Sequence, residues 1–160
     1  MNRLASVLDV EDVKVDVVAE SPPALFAQAA SIFERHRRIG APSSVADTLI
    51  ERERLGSTCL GHGVAIPHGR IKGLKRAVAA VLRVRTPLAF GGPDGEPVTL
   101  FIFLFVPELA DQDDLEILAE IAAMLSDKVT RERLKHEGDA GSVFATIAGW
   151  THERSASTRP

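Results

Sequence analysis

Val98-Thr99-Leu100-Phe101-Ile102-Phe103-Leu104-Phe105-Val106 is apolar at every position except Thr99. Its β-branched and aromatic residues favour a strand. A strand with one wet face alternates apolar and polar, so a run apolar at both odd and even positions predicts a central strand covered on both sides. At half the length of a membrane-crossing helix, it predicts no span. Pro107 ends the run. Before it, Phe90-Gly91-Gly92-Pro93-Asp94-Gly95 is a turn-rich connection from a second β segment, Ala77 to Thr86. Earlier still, glycines at 56, 61, 63, 69 and 73, with Pro67 among them, predict short strands joined by tight turns.

Helical patterns surround this β region. Val13-Lys14-Val15-Asp16-Val17 alternates as a half-buried strand does. Ser21 then precedes Pro22-Pro23 as an N-cap before first-turn prolines, and Leu25, Phe26, Ala29, Ile32 and Phe33 recur at helical spacing. Arg35 to Arg38 suit the helix C-terminus, with Gly40 as its left-handed stop. A second helix is predicted from Ser43 or Ser44 to about Arg54. Beyond Pro107, Leu115, Leu118, Ile121, Ala122 and Leu125 mark an amphipathic helix opened by Asp113 and Glu116 as a capping-box variant. Shorter helices follow at 130–136 and 142–148. The fold class is therefore α/β: a single domain with a mixed β-sheet flanked by helices on both faces. It is expected to occupy residues 4–150, with 151–160 a flexible tail.

The chain has 160 residues, 45% apolar and 26% charged, which suits one ordinary folded domain. A net charge of −3 argues against a protein that coats nucleic acid. One cysteine, Cys59, leaves no intramolecular disulfide and no cysteine-cluster zinc site. The opening residues lack a basic-then-apolar signal pattern, so a cytoplasmic protein without membrane insertion is expected. Charge is segregated: Arg70, Lys72, Lys75, Arg76, Arg83 and Arg85 fall in a stretch without acids, whereas Asp94 to Asp127 holds nine acids and no Lys or Arg. Solvated faces and helix-start acids account for most of this, and a polarised docking surface is the alternative.

Several chemistries are disfavoured. The histidines lack the spacing of a helical zinc site, so no metal is expected. Gly61-His62-Gly63-Val64-Ala65-Ile66 has Ile66 where a dinucleotide fingerprint needs a small residue, and lacks the end of a phosphate loop. No serine sits in a nucleophile elbow. His36 and His136 fall at helix ends and His152 in the tail. His68 is different. It follows the apolar Val64-Ala65-Ile66 and Pro67, which restrains the chain, and precedes Gly69, which has no side chain. A neutral imidazole held there is a nucleophile near pH 7. An ordinary turn histidine is the alternative.

The residues around His68 form a longer pattern: Arg52-Glu53, Gly56-Ser57-Thr58, Gly63, and Ala65-Ile66-Pro67-His68-Gly69. This closely resembles the active-site signature of phosphotransferase-system IIA components of the fructose/mannitol superfamily. The resemblance extends over about residues 4–150, and the N-terminus is most similar to the nitrogen-branch (IIA-Ntr) type. It implies a phosphocarrier on a mixed sheet flanked by helices, with no cofactor. His68 would accept a phosphoryl group from an HPr-like protein or its nitrogen-branch counterpart NPr. The phosphorylation state would then signal nitrogen, carbon or potassium status to regulatory targets, potassium-uptake regulators among them. Arg52 occupies the position of the family's charge-stabilising arginine. Ser57 and Thr58 are candidate hydroxyl donors to the phosphoryl, or satisfy backbone groups in the turn. Gly69 would let backbone N–H groups approach, and Arg70 is a candidate partner contact. Asp114 stands where many relatives carry a second histidine, as a modulator of the His68 tautomer or charge, or as a plain helix-start carboxylate. Two further functions fit the sequence: a sugar-specific IIA component that passes phosphate to a IIB domain, and a binding module that turns over no phosphate.

Overall fold

The computed structural model describes residues 2–37 and 42–151. The nine-residue apolar run lies within the central strand β6 (Val98–Pro107). On one flank β6 pairs antiparallel with β5 (Val78–Leu88), which pairs parallel with the edge strand β1 (Val13–Val17). On the other flank β3 (Val64–Ala65) and β4 (His68–Ile71) lie parallel to successive parts of β6, and β2 (Cys59–Gly61) pairs antiparallel with β3. The sheet is thus mixed and six-stranded.

Alternation along β6 explains its composition. Phe101, Phe103 and Phe105 belong to one core with Leu25, Phe26, Phe33 and Leu49, from helices α2 (Pro22–Arg37) and α3 (Pro42–Leu55). Leu100, Ile102 and Leu104 belong to the other, with Leu4 of α1 (Arg3–Ser6), Ile121 of α4 (Gln112–Ser126), Leu134 of α5 (Lys128–His136) and Ile147 of α6 (Ala140–Gly149). Both sides of the strand are dry, so neither can carry polar residues. The aromatic side interlocks through edge contacts of Phe26 with Phe90 and Phe103, ring centroids 6.0 and 5.8 Å apart.

Helix starts follow their caps. The Ser21 hydroxyl accepts from the Ala24 N–H at 3.2 Å ahead of α2, as its position before two prolines predicts. The start of α4 is corrected. Asp111, not Asp113, is the N-cap: its carboxylate accepts from the Asp114 N–H, and the Asp114 carboxylate accepts from the Asp111 N–H, both at 3.0 Å. Glu116 pairs instead with Arg3 at 2.6 Å. The apolar stripe located this helix, but its spacing does not say which of four nearby acids folds back. The stop expected at Gly40 and the tail beyond Thr151 lie outside the described residues. Among the described residues, no helix is long and apolar enough to cross a membrane.

Candidate functional site

His68 is the first residue of β4, and the break in pairing between β3 and β4 determines its surroundings. Ile66 and Pro67 interrupt the two strands. The Pro67 carbonyl accepts from the Leu104 N–H at 3.0 Å, which anchors the interruption to β6. The Ile66 carbonyl is turned to the imidazole, whose Nδ1 lies 2.7 Å away. A carbonyl only accepts, so Nδ1 carries the proton and Nε2 the lone pair. The ring is half-buried. Burial lowers its pKa from the ordinary value; the Ile66 bond opposes this, the Arg52 charge adds to it, and the Glu53 charge opposes it. The net direction favours the neutral, nucleophilic ring at pH 7.

His68 lines a cavity of about 480 Å³ at the sheet edge. Glu51, Arg52 and Leu55 of α3 line it on one side, and Asp114, Leu115 and Leu118 of α4 on the other. Gly69, Arg70, Leu104 and Val106 complete the strand side. The structure therefore brings four of the expected residues, Arg52, Gly69, Arg70 and Asp114, around His68. Leu55 and Leu115 are 85% and 53% exposed, so the mouth of the cavity has an apolar rim.

Each residue has a local reason for its place. Arg52 lies in the last turn of α3, where a cation suits the helix dipole, and its Nη1 donates to the Gly56 carbonyl at 2.8 Å. Gly69 is required for packing: a Cβ there would lie 2.9 Å from Thr48 Cγ2, so its bareness lets α3 close onto β4. On the Cβ side the space that Gly69 leaves is thus filled by Thr48, while its backbone lines the cavity. Arg70 is exposed at the edge. Asp114 is buried within its capping box.

Ser57, Thr58 and Asp114 each carried two readings, and each makes a structural contact. Ser57 does not line the cavity; its hydroxyl donates to the Phe90 carbonyl at 3.4 Å and accepts from the Cys59 N–H at 3.1 Å. Thr58 is buried and also outside the lining; its hydroxyl donates to the Glu53 carboxylate. Both hydroxyls serve the turn after α3. The tautomer of His68 is held by Ile66, not by Asp114, because the backbone two residues back reaches Nδ1 first. Sequence reasoning missed Ile66 for a plain reason: a backbone carbonyl leaves no residue-type signal. Glu53 was within the quoted pattern, and its spacing to Thr58 was the available clue.

Residues 6–149 match the family model described as "Phosphoenolpyruvate-dependent sugar phosphotransferase system, EIIA 2". The chain is 35% identical to the nitrogen regulatory protein of Pseudomonas aeruginosa over 147 residues, covering 92% of this chain and 96% of that one. Its fold is similar to the crystal structure of the nitrogen regulatory protein IIA-Ntr from Neisseria meningitidis, with a TM-score of 0.85, 39% identity, and coverage of 91% and 99% of the two chains. The fold alone is shared with the mannitol IIA protein of Escherichia coli, with a TM-score of 0.70, 19% identity, and coverage of 87% and 97%. The chain belongs to the EIIA 2 family of the phosphotransferase system.

Proposed function

We propose that the protein is a nitrogen-branch IIA phosphocarrier, a single domain over residues 4–150, in which His68 Nε2 accepts a phosphoryl group from the phosphohistidine of an HPr-like or NPr carrier. The observation that carries this reading is the His68 imidazole with Nδ1 tied to a carbonyl, which leaves a lone pair on Nε2 in a cavity shared with Arg52. Its relatives among nitrogen regulatory proteins support the nitrogen branch over a sugar-specific role. The phosphorylation state would then be read by regulatory target proteins.

In the transfer, the Nε2 lone pair forms a new N–P bond as the donor's N–P bond breaks. The released electron pair returns to the donor imidazole. Such a transition state is loose, and the protein contributes placement and charge stabilisation rather than covalent help. Arg52 supplies positive charge for the equatorial oxygens. The His68 ring becomes positively charged once Nε2 is bonded, while Nδ1–H keeps its carbonyl acceptor throughout. The exposed Leu55 and Leu115 give a carrier protein an apolar rim on which to dock. Arg70 contributes charge at that rim, and Asp114 adds a carboxylate that tunes the energy of the phosphorylated state.

Incubation with phosphoenolpyruvate, enzyme I and either HPr or NPr tests this reading. Intact mass should rise by one acid-labile phosphoryl group in the wild type and stay unchanged in His68→Ala. No phosphorylation with either carrier, or phosphate on His62 or a serine, would overturn it.

A further inference from the structure

Glu53 does not line the cavity, yet it lies at the far end of a series of contacts that stops at the His68 ring. Its carboxylate receives both the N–H of Thr58, at 3.2 Å, and the Thr58 hydroxyl. The Thr58 carbonyl accepts from the Ile66 N–H at 3.1 Å. The Ile66 carbonyl in turn accepts from His68 Nδ1 at 2.7 Å. Thr58 and Ile66 are buried, where such bonds are strengthened and their loss is costly. Arg52 fixes the same turn from its other end, through the Gly56 carbonyl.

We infer that Glu53 is a positioning residue for His68: by clamping Thr58 it sets the Ile66 carbonyl that selects the Nδ1–H tautomer and leaves Nε2 free to react. The inference rests on the phosphocarrier reading above. Each link crosses a Cα atom, so the series transmits position, not electrons. The Glu53 charge acts separately, through space, and opposes the lowering of the His68 pKa by burial. One side chain thus orients the nucleophile and, by its charge, offsets part of the lowering of the ring's pKa.

Two variants separate these effects. Glu53→Gln removes the charge and keeps one acceptor oxygen for Thr58, with an amide nitrogen that can donate to the Thr58 hydroxyl in place of the second. Thr58→Val keeps the charge and removes the hydroxyl link. The His68 ring nitrogens are followed by ¹⁵N NMR as pH is varied, and single-turnover phosphorylation is measured against donor concentration. Glu53→Gln should lower the His68 pKa, because the lost negative charge had favoured the imidazolium. The acid limb of its rate profile should move to lower pH with it. Thr58→Val should raise the Nε2–H population and slow the transfer step by about threefold to tenfold, leaving half-saturation by the donor unchanged. Thr58→Ser should restore both.

Wild-type tautomer populations and wild-type transfer rates in folded Thr58→Val would overturn the inference, as would an unmoved acid limb in Glu53→Gln. If Thr58→Val fails to fold while Thr58→Ser behaves as wild type, the tautomer population in Glu53→Asp decides, since its shorter side chain must pull the turn or release it. The ring NMR needs no donor, so it reads this inference even if wild-type protein accepts no phosphate. That second result would sink the phosphocarrier reading alone.

Discussion

At His68 two local features combine: a proline that interrupts strand pairing and a carbonyl left facing the ring. Neither is unusual, but together they fix which nitrogen can react. Arg52 supplies the second half of the site. Its exposed bond to Gly56 contributes little to stability, within about 0.5 kcal/mol for an ordinary surface position. A charge contact made mainly in the transition state is worth about 2–4 kcal/mol, or roughly 30- to 1,000-fold in rate. Arg52→Ala should therefore slow phosphoryl acceptance by that factor with a nearly unchanged melting temperature. Wild-type acceptance kinetics in the variant would remove Arg52 from the site. At this scale His68 stood out by its place between Pro67 and Gly69, and the family resemblance pointed to Arg52. For Ser57 and Thr58 the sequence left two readings open, because a hydroxyl in a tight turn can serve its neighbours or a ligand, and only packing decides between them.

Elements meet at the cavity through α3 and β4, and Gly69 controls how closely. A methyl group there would meet Thr48 Cγ2 at 2.9 Å, so Gly69→Ala must displace the Thr48 side chain or the helix α3 that carries it. Overpacking of this kind costs about 1–3 kcal/mol. The variant should lose stability by that amount and also accept phosphate more slowly, since Arg52 is carried on the same helix as Thr48. Thr48→Ser removes the offending methyl and keeps the hydroxyl. The double variant should recover much of the loss, and denaturant titration of the four proteins gives the coupling directly. Additive losses would mean that the two residues do not meet. The opposite side of the cavity depends on the start of α4. There the apolar stripe made the helix legible, whereas its true cap at Asp111 was hidden among neighbouring carboxylates of equal propensity.

Across the whole molecule, the sheet separates two cores, and β6 contributes alternate residues to both, as β5 does beside it. Phe103 is fully buried on the side of α2 and α3, against Phe26. Phe103→Ala should cost about 3–5 kcal/mol, since it removes apolar burial and leaves a cavity between sheet and helices. The denaturation midpoint should fall while the slope with denaturant stays constant. A loss under about 1 kcal/mol would mean that this face is far less tightly packed than its ring contacts indicate. The sequence by itself determined the class of fold, because a nine-residue run that is apolar at all positions but Thr99 is satisfied between two dry layers. It also singled out His68 as the candidate nucleophile, because the residue pattern around it, which resembles the family signature, is long and local. Tertiary structure alone decided which face each helix covers, how α3 and α4 come to share one cavity, and which atom holds the imidazole. Those outcomes depend on contacts between residues far apart in the chain and on backbone groups that every residue carries alike, so no local pattern encodes them.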